Sequence, residues 1–403
     1  MNREYLKGLI SGFTIILLIG AIYIGSNNFV DFLQENGIYF EGTGVQELEV
    51  DEKINKIIRY LDNFYYEDFD TDEILDRAFK GMVAGIGDPY STYYTEDEFR
   101  NVLESAAGEY SGIGVVISHN EVDDEFIVLL PFVGGPGDKA GLLPGDIIIQ
   151  VDGISIEGMD LTETVNLIKG EVGTEVVLTI IRNNDQLEVP IIREKIDIPT
   201  VSSEMLEDNI GYLRISEFDR VTYNQFMDAI NELENQGQNG LIIDLRNNPG
   251  GMLHTVIAIV DELIPKNKII VYTEDKHGRQ EIERSKTGTY FDRPLVILIN
   301  EHSASASEIL AGAIKDHGAG TLVGTTTFGK GLVQRLIPLG DGTAIKTTIS
   351  RYFTPSGNYI HDRGIEPDVE VILPDELRFR GNLTLEEDLQ LQKALEIINE
   401  KIK

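Results

Sequence analysis

Two short apolar runs constrain this chain more than any other feature. Gly240-Leu-Ile-Ile-Asp-Leu-Arg and Pro294-Leu-Val-Ile-Leu-Ile-Asn lack the polar alternation of a strand with one wet face. Runs of this length and uniformity read as strands buried on both sides, the signature of a sheet covered by helices. Gly211-Tyr-Leu-Arg-Ile, Thr321-Leu-Val-Gly and Thr343-Ala-Ile-Lys-Thr-Thr-Ile read as further strands. Tyr223, Phe226, Met227, Ile230 and Leu233 keep a helical period, and Leu385 onward is a polar-faced terminal helix. Strands alternating with helices from Ile210 onward predict an α/β core.

The turns that leave the two buried strands carry the chemistry. The first strand ends in Asn247-Asn-Pro-Gly-Gly; the second runs into Glu301-His-Ser-Ala-Ser-Ala-Ser-Glu, with Ile309, Leu310, Ala313 and Ile314 continuing as a helix. A serine in that turn sits at a helix N-terminus, where N–H groups and the helix dipole stabilise an oxyanion. Ser303, Ser305 and Ser307 all compete for the position, and the residues alone do not choose, since serines commonly act as caps. Lys330, between Gly329 and Gly331 and after Phe328, is the candidate base. A lysine base must be neutral, so its pKa must fall from ~10.4 towards ~7 by desolvation.

Two rival patterns fail. Gly324-Thr-Thr-Thr-Phe-Gly-Lys-Gly satisfies G-x-x-x-x-G-K, but position 331 is Gly where Mg²⁺ binding needs Ser or Thr. His302 and His317 invite a Ser-His-Asp triad; the first lies in the serine turn itself and the second one helix away.

Tyr110 to about Glu194 is a compact β-rich unit, with strands at Val115-Val-Ile, Phe126-Ile-Val-Leu-Leu, Asp146-Ile-Ile-Ile-Gln-Val, Val176-Val-Leu-Thr-Ile-Ile and Leu187-Glu-Val-Pro-Ile. Short helices fit Gly137–Ala140 and Leu161–Ile168. Ser111-Gly-Ile-Gly-Val, Pro136-Gly-Asp-Lys-Ala-Gly-Leu-Leu-Pro-Gly-Asp-Ile-Ile, Gly153 and Leu167-Ile-Lys-Gly-Glu-Val-Gly-Thr make the unit resemble a PDZ domain of the bacterial, permuted type. Gly112 and Gly114 let backbone N–H groups turn inward around Ser111, Ile113 and Val115 as an anion nest that fits a peptide C-terminal carboxylate. The peptide itself would add as a strand to a sheet edge.

The rest of the chain sets the context. Its 403 residues allow two or three domains, and a net charge of −34 with no basic run speaks against a nucleic-acid partner. With no cysteine, disulfides and thiol nucleophiles are excluded, and the six histidines lack the paired spacing of a zinc site. No metal or other cofactor is expected. Gly8 to Val30 carry no charge, with Arg3 and Lys7 before them and Asp31 and Glu35 after. This predicts a transmembrane signal anchor with the remainder outside the cytoplasm, at the cell membrane. Val50 to about Leu103 reads as helices, with Thr71 or Asp72 as an N-cap after an acidic turn.

Ser303-Ala-Ser-Ala-Ser-Glu-Ile, Phe328-Gly-Lys-Gly-Leu-Val-Gln, Asp244-Leu-Arg-Asn-Asn-Pro-Gly-Gly, Tyr352-Phe-Thr-Pro-Ser-Gly, Gly364-Ile-Glu-Pro-Asp and Asp88-Pro-Tyr-Ser together resemble the carboxy-terminal processing (tail-specific) serine proteases, from about residue 50 to 400. The resemblance implies Ser305 as nucleophile, Lys330 as base and Gln334 as the residue orienting the lysine. It implies oxyanion donors at the N–H of Ala306 and of Gly250 or Gly251. It also implies an α/β protease core of the ClpP/crotonase kind; with the inserted PDZ domain, the N-terminal helical region and the one transmembrane helix read above, this is the expected fold class. The expected organisation is a cytoplasmic tail (1–7), an anchor (8–30), a helical region (31–103), a PDZ domain (104–195), a protease core (196–375) and a helical tail (376–403). Expected partners are the C-terminal tails of protein substrates, the membrane through the anchor, and a second copy, for which the flanking helices are candidate dimer arms. The PDZ domain would also act as a lid, with Lys169 near its rim as a latch.

Overall fold

In the computed structural model, residues 49–107, 109–120, 124–287, 291–378, 380 and 383–403 are described. The chain divides into two units, Met1–Leu75 and Asp76–Lys403. In the first, helix Val50–Phe64 buries no residue, and the helix starting at Thr71 is capped by Asp70, whose carboxylate accepts the Asp72 and Glu73 N–H groups at 2.8 and 3.2 Å. The cap is thus one residue ahead of the Thr71 or Asp72 expected.

The second unit is organised by a six-stranded sheet in the order Val201–Leu206, Ile210–Ile215, Gly240–Asp244, Leu295–Ile299, Thr321–Gly324, Val369–Glu370. The first pair is antiparallel and the others parallel. Every residue of Gly240–Asp244 and of Leu295–Ile299 is buried. Side chains alternate across a strand. Leu241, Ile243, Leu295, Ile297 and Ile299 therefore pack with helices Thr222–Asn235, Leu253–Leu263 and Ala306–His317. Ile242, Val296 and Leu298 pack on the other side with Ala394 and Ile398 of helix Leu389–Ile402.

A separate antiparallel sheet pairs Ala344–Phe353 with Thr92–Tyr94, Ile269–Asp275 and Leu332–Pro338. The β-rich unit forms its own sheet in the order Val115–Asn120, Glu125–Pro131, Ile147–Val151, Glu175–Arg182, Asp185–Ile192, around a core including Phe126, Val128, Ile148, Leu178 and Ile180. Its two chain ends are zipped together, strand Glu109–Gly112 pairing antiparallel with Glu194–Asp197.

One expectation is corrected. Among the described residues no helix is long and apolar enough to cross a membrane, so the expected transmembrane helix is not part of the fold described here. The segment expected to span, residues 8–30, lies outside the described residues.

Arg246 fastens the central sheet to the terminal helix. Its guanidinium donates to Asp244 at 2.6–3.0 Å, to Asp388 at 2.8 and 2.9 Å and to Gln390 at 3.1 Å. Asp388 caps the helix through the Leu391 N–H at 3.0 Å. Burial by itself would push the Asp244 carboxyl up; the Arg246 charge and its hydrogen bonds more than offset this and hold it below its ordinary value. Arg246→Met would leave both carboxylates buried and uncompensated, and unfolding by denaturant should show a loss of about 3–5 kcal/mol. Because the folded-state pKa of Asp244 is the lower one, its contribution is complete above the ordinary carboxylate range and fades as pH falls through the folded value. The difference between wild type and variant should therefore shrink in acid.

Candidate active site

The three serines of the turn have different fates. Ser303 and Ser307 are fully buried and bind neighbouring backbone. Ser303 Oγ donates to the Leu245 carbonyl at 2.8 Å, and Ser307 Oγ to the Asn248 carbonyl at 3.0 Å. They tie the turn to the loop after strand Gly240–Asp244, an attachment completed by reciprocal Asn247–Asn300 bonds at 2.9 Å. Ser305 makes no side-chain cap and has φ 54°, ψ −111°. Among the described non-glycine residues with positive φ, all but Ser305 are Asn or Asp. A backbone held there stores strain of order 1–3 kcal/mol, and such positions cluster at functional sites.

Gly250, at φ +111°, lies against this turn, while Gly251, at φ +139°, lies against the backbone of Phe218. A Cβ on Gly250 would stand 2.7 Å from the Ser305 Cβ and 3.0 Å from the Ala306 nitrogen, so a bare backbone is required. The two glycines differ in what their N–H groups do. That of Gly250 donates to Asn248 Oδ1 at 2.8 Å. Those of Gly251 and Ala306 have no acceptor among the described residues.

Lys330 enters from the loop after strand Thr321–Gly324. The loop leads into strand Leu332–Pro338 rather than the helix that a phosphate-binding loop needs, so the G-x-x-x-x-G-K resemblance is incidental. The Nζ sits 4.8 Å from the centre of the Tyr90 ring, and among the described residues it makes no hydrogen bond or ion pair. Burial is the first cause of its lowered pKa and the Lys346 charge the second; Asp88 and Glu308 pull the other way. Tyr90 belongs to the Asp88-Pro-Tyr-Ser turn. There Asp88 accepts the Ser91 hydroxyl at 2.6 Å and the Tyr90 N–H at 3.0 Å, and Ser91 Oγ accepts the Thr348 N–H at 3.2 Å.

Gln334 makes no hydrogen bond to Lys330 among the described residues. It lies just past a bulge, opposite Thr348, and its Nε2 is buried with no hydrogen-bond partner among the described residues. The histidines fall away: His317 Nε2 is bonded to the Ile269 carbonyl at 2.7 Å, and His302 is exposed.

A second concave site lies in the β-rich unit. Ile113, Val115 and Ile117 on one wall face Leu161, Val165 and Ile168 on helix Leu161–Ile168 across a cavity of about 490 Å³, which Lys169 also lines. Val115–Asn120 is the edge strand of its sheet, open to a further strand on that side. The N–H groups of Ile113 and Gly114, at the end of the groove, meet no acceptor among the described residues. Ser111 Oγ is bonded to the Gly170 carbonyl, which joins the nest to the helix end. A Cβ on Gly170 would meet the Arg193 guanidinium at 2.8 Å, so a larger residue there would displace that buried side chain.

Comparison with known proteins gives the same parts. The model of peptidase family S41 matches residues 209–371, a PDZ-domain model matches 133–182, and a model of the activating protease CtpB N-terminal domain matches 24–98. The carboxy-terminal processing protease CtpA of Bacillus subtilis (strain 168) is 38% identical over 325 residues, 80% of this chain and 69% of that protein. The chain belongs to peptidase family S41. A probable CtpA-like serine protease of Staphylococcus aureus (strain COL) is 36% identical over 324 residues, 80% of this chain and 65% of that protein. The chain thus spans about two thirds of the length of these relatives. A Bacteroides fragilis NCTC 9343 protein assigned to the S41 proteases shares the fold at 18% identity and TM-score 0.53, over 89% of this chain and 99% of that one.

This S41 enzyme is a carboxy-terminal processing peptidase with a PDZ domain. Tyr90, Lys346, Glu308 and Tyr352 surround the candidate pair, and none of them stands out in the sequence as a site residue. The motifs around Tyr90, Glu308 and Tyr352 are visible there; their convergence is not. Lys346→Met, which removes the like charge, should raise the Lys330 pKa, seen as a later midpoint in the pH titration of its ¹³Cε resonance.

Proposed function

We propose that the enzyme cuts protein substrates captured by their C-terminal tails, using Ser305 as nucleophile and Lys330 as general base through an acyl-enzyme. The observation that carries this reading is the strained Ser305 turn, with free N–H groups at Ala306 and Gly251 beside it and a lysine of lowered pKa on the neighbouring loop. In the reacting arrangement, neutral Lys330 takes the Ser305 hydroxyl proton as the oxygen attacks the scissile carbonyl. The oxyanion forms against the Ala306 and Gly251 N–H groups. Gly251 is the better second donor because the Gly250 N–H is already held by Asn248. Collapse expels the amine, which takes the proton from Lys330. Water then resolves the ester with Lys330 again as base. Gln334 serves by presenting its amide oxygen to a lysine N–H.

The tail enters the apolar groove of the PDZ domain. It adds a strand to the Val115–Asn120 edge, with its terminal carboxylate at the Ile113 and Gly114 N–H groups. The apolar lining favours tails with aliphatic side chains at alternate positions, since a strand presents every second residue to one side.

Ser305→Ala and Lys330→Ala should each abolish proteolysis while leaving folding and tail-peptide binding intact; substantial cleavage by either pure variant sinks the assignment. Amidating the C-terminus of a cleaved peptide should weaken its capture on the order of tenfold or more. That is the loss of a charge-assisted hydrogen bond of about 1.5–3 kcal/mol, and titration calorimetry with the Ser305→Ala protein measures it. Equal affinity for acid and amide would remove the carboxylate nest from the reading.

A further inference from the structure

Glu308 stands in the first turn of helix Ala306–His317, where a glutamate ordinarily reaches back to one backbone N–H and keeps its other oxygen in water. Here it is fully buried. Oε2 accepts the Ser305 N–H and the Lys330 N–H, both at 2.8 Å. Oε1 accepts the Thr327 hydroxyl at 2.6 Å and the Gly329 N–H at 2.7 Å. Tyr352, 2% exposed on strand Ala344–Phe353, does the complementary work. Its hydroxyl lies 2.5 Å from the Lys330 carbonyl oxygen and 3.0 Å from that of Ser305, so one proton is shared between them, and it is 3.5 Å from Glu308 Oε2. The N–H and the C=O of Ser305, and the N–H and the C=O of Lys330, are therefore held by the same two buried side chains.

We propose that Glu308 and Tyr352 are positioning residues that fix the backbone of Ser305 and of Lys330 relative to one another. The inference rests on Ser305 and Lys330 being the catalytic pair. The physical need is plain. The two residues come from different loops, and nothing covalent sets their separation. Ser305 is in a conformation its own backbone disfavours, so outside contacts must hold it. A misplacement of about 1 Å between reacting groups costs on the order of a hundredfold in rate. An ordinary helix cap would need only one of these bonds; the carboxylate accepts four, and three of them go to the lysine loop.

The two residues leave different signatures. The charged groups acting on the Lys330 amine are Lys346, which lowers its pKa, and Asp88 and Glu308, which raise it. Glu308→Gln removes one of the two negative charges and turns an amide N–H towards donors. Tyr352→Phe keeps the buried ring and changes no charge. The test is the rate at which a fluorophosphonate reagent labels Ser305 in the full chain, measured across pH, with the folded fraction followed by circular dichroism. Labelling of the wild type at Ser305 that is lost in Lys330→Ala supports the pair; an unlabelled wild type, or Lys330→Ala labelled normally, overturns the pair and this proposal with it.

Given a reactive pair, Tyr352→Phe should be labelled on the order of ten- to a hundredfold more slowly at an unchanged pH midpoint. Glu308→Gln should be slower still, with its midpoint moved to lower pH. Wild-type labelling rates in folded Tyr352→Phe, or a loss fully accounted for by its unfolded fraction, would overturn the clamp alone. If Glu308→Gln does not fold, the Tyr352→Phe arm decides.

Discussion

A carboxylate removed from water must be surrounded by donors, and the protein meets that demand at Glu308 with groups from two separate loops. The rest of the site depends on this. The helix that carries Glu308 begins at a residue in a disfavoured conformation, and the loop that carries Lys330 has no regular structure between strands Thr321–Gly324 and Leu332–Pro338. Each is weak alone. Joined through one buried carboxylate, they become a single object. Tyr352 closes it from the far side, bringing in the second sheet.

The scaffold explains why these loops meet. Both leave the central sheet at the same ends of parallel strands, where adjacent loops necessarily crowd together. The loop after Gly240–Asp244 completes the crowd, bound to the serine turn through Ser303, Ser307 and the Asn247–Asn300 pair. Arg246 sits just ahead of that loop and anchors it to the terminal helix. Stability and site geometry are thus coupled at one end of the sheet. The Asp88-Pro-Tyr-Ser turn arrives from the other sheet, held by Ser91 against strand Ala344–Phe353, and lays the Tyr90 ring under the lysine.

How far all this is legible in the sequence depends on the range of the deciding contact. The strands Gly240–Asp244 and Leu295–Ile299 declare themselves because burial on both faces leaves no polar alternation. Helix Leu253–Leu263 does not, because its apolar residues spread around it and blur the period, nor does the hairpin Ile269–Arg284, whose strands carry many charges. The serine turn is visible, yet the choice among its three serines is set by the Leu245 and Asn248 carbonyls, more than fifty positions away in sequence. The same holds for Gly250 and Gly251, equivalent in the chain and separated only by the reach of the Asn248 side chain. Glu308 reads as the polar start of an apolar helix; its burial is a consequence of a loop about twenty residues downstream. The apolar stretch at 8–30 has the length of a membrane span but lies outside the described residues, among which no helix is long and apolar enough to cross a membrane.

The geometry of the lysine carries a last consequence. An ammonium over an aromatic face is stabilised in its charged form by about 0.5–2 kcal/mol, which opposes the role of a base. Burial and the Lys346 charge oppose the charged form in turn. Gln334, opposite Thr348 on the neighbouring strand, has its amide nitrogen buried with no hydrogen-bond partner among the described residues. An unmet buried polar group costs about 1–3 kcal/mol. A half-turn of the Gln334 amide would put its oxygen in that place, which is the atom a lysine N–H requires, and would turn its nitrogen elsewhere. Lys330 drawn from the Tyr90 ring to that oxygen would exchange a contact that favours its charge for a hydrogen bond that the neutral amine can also make.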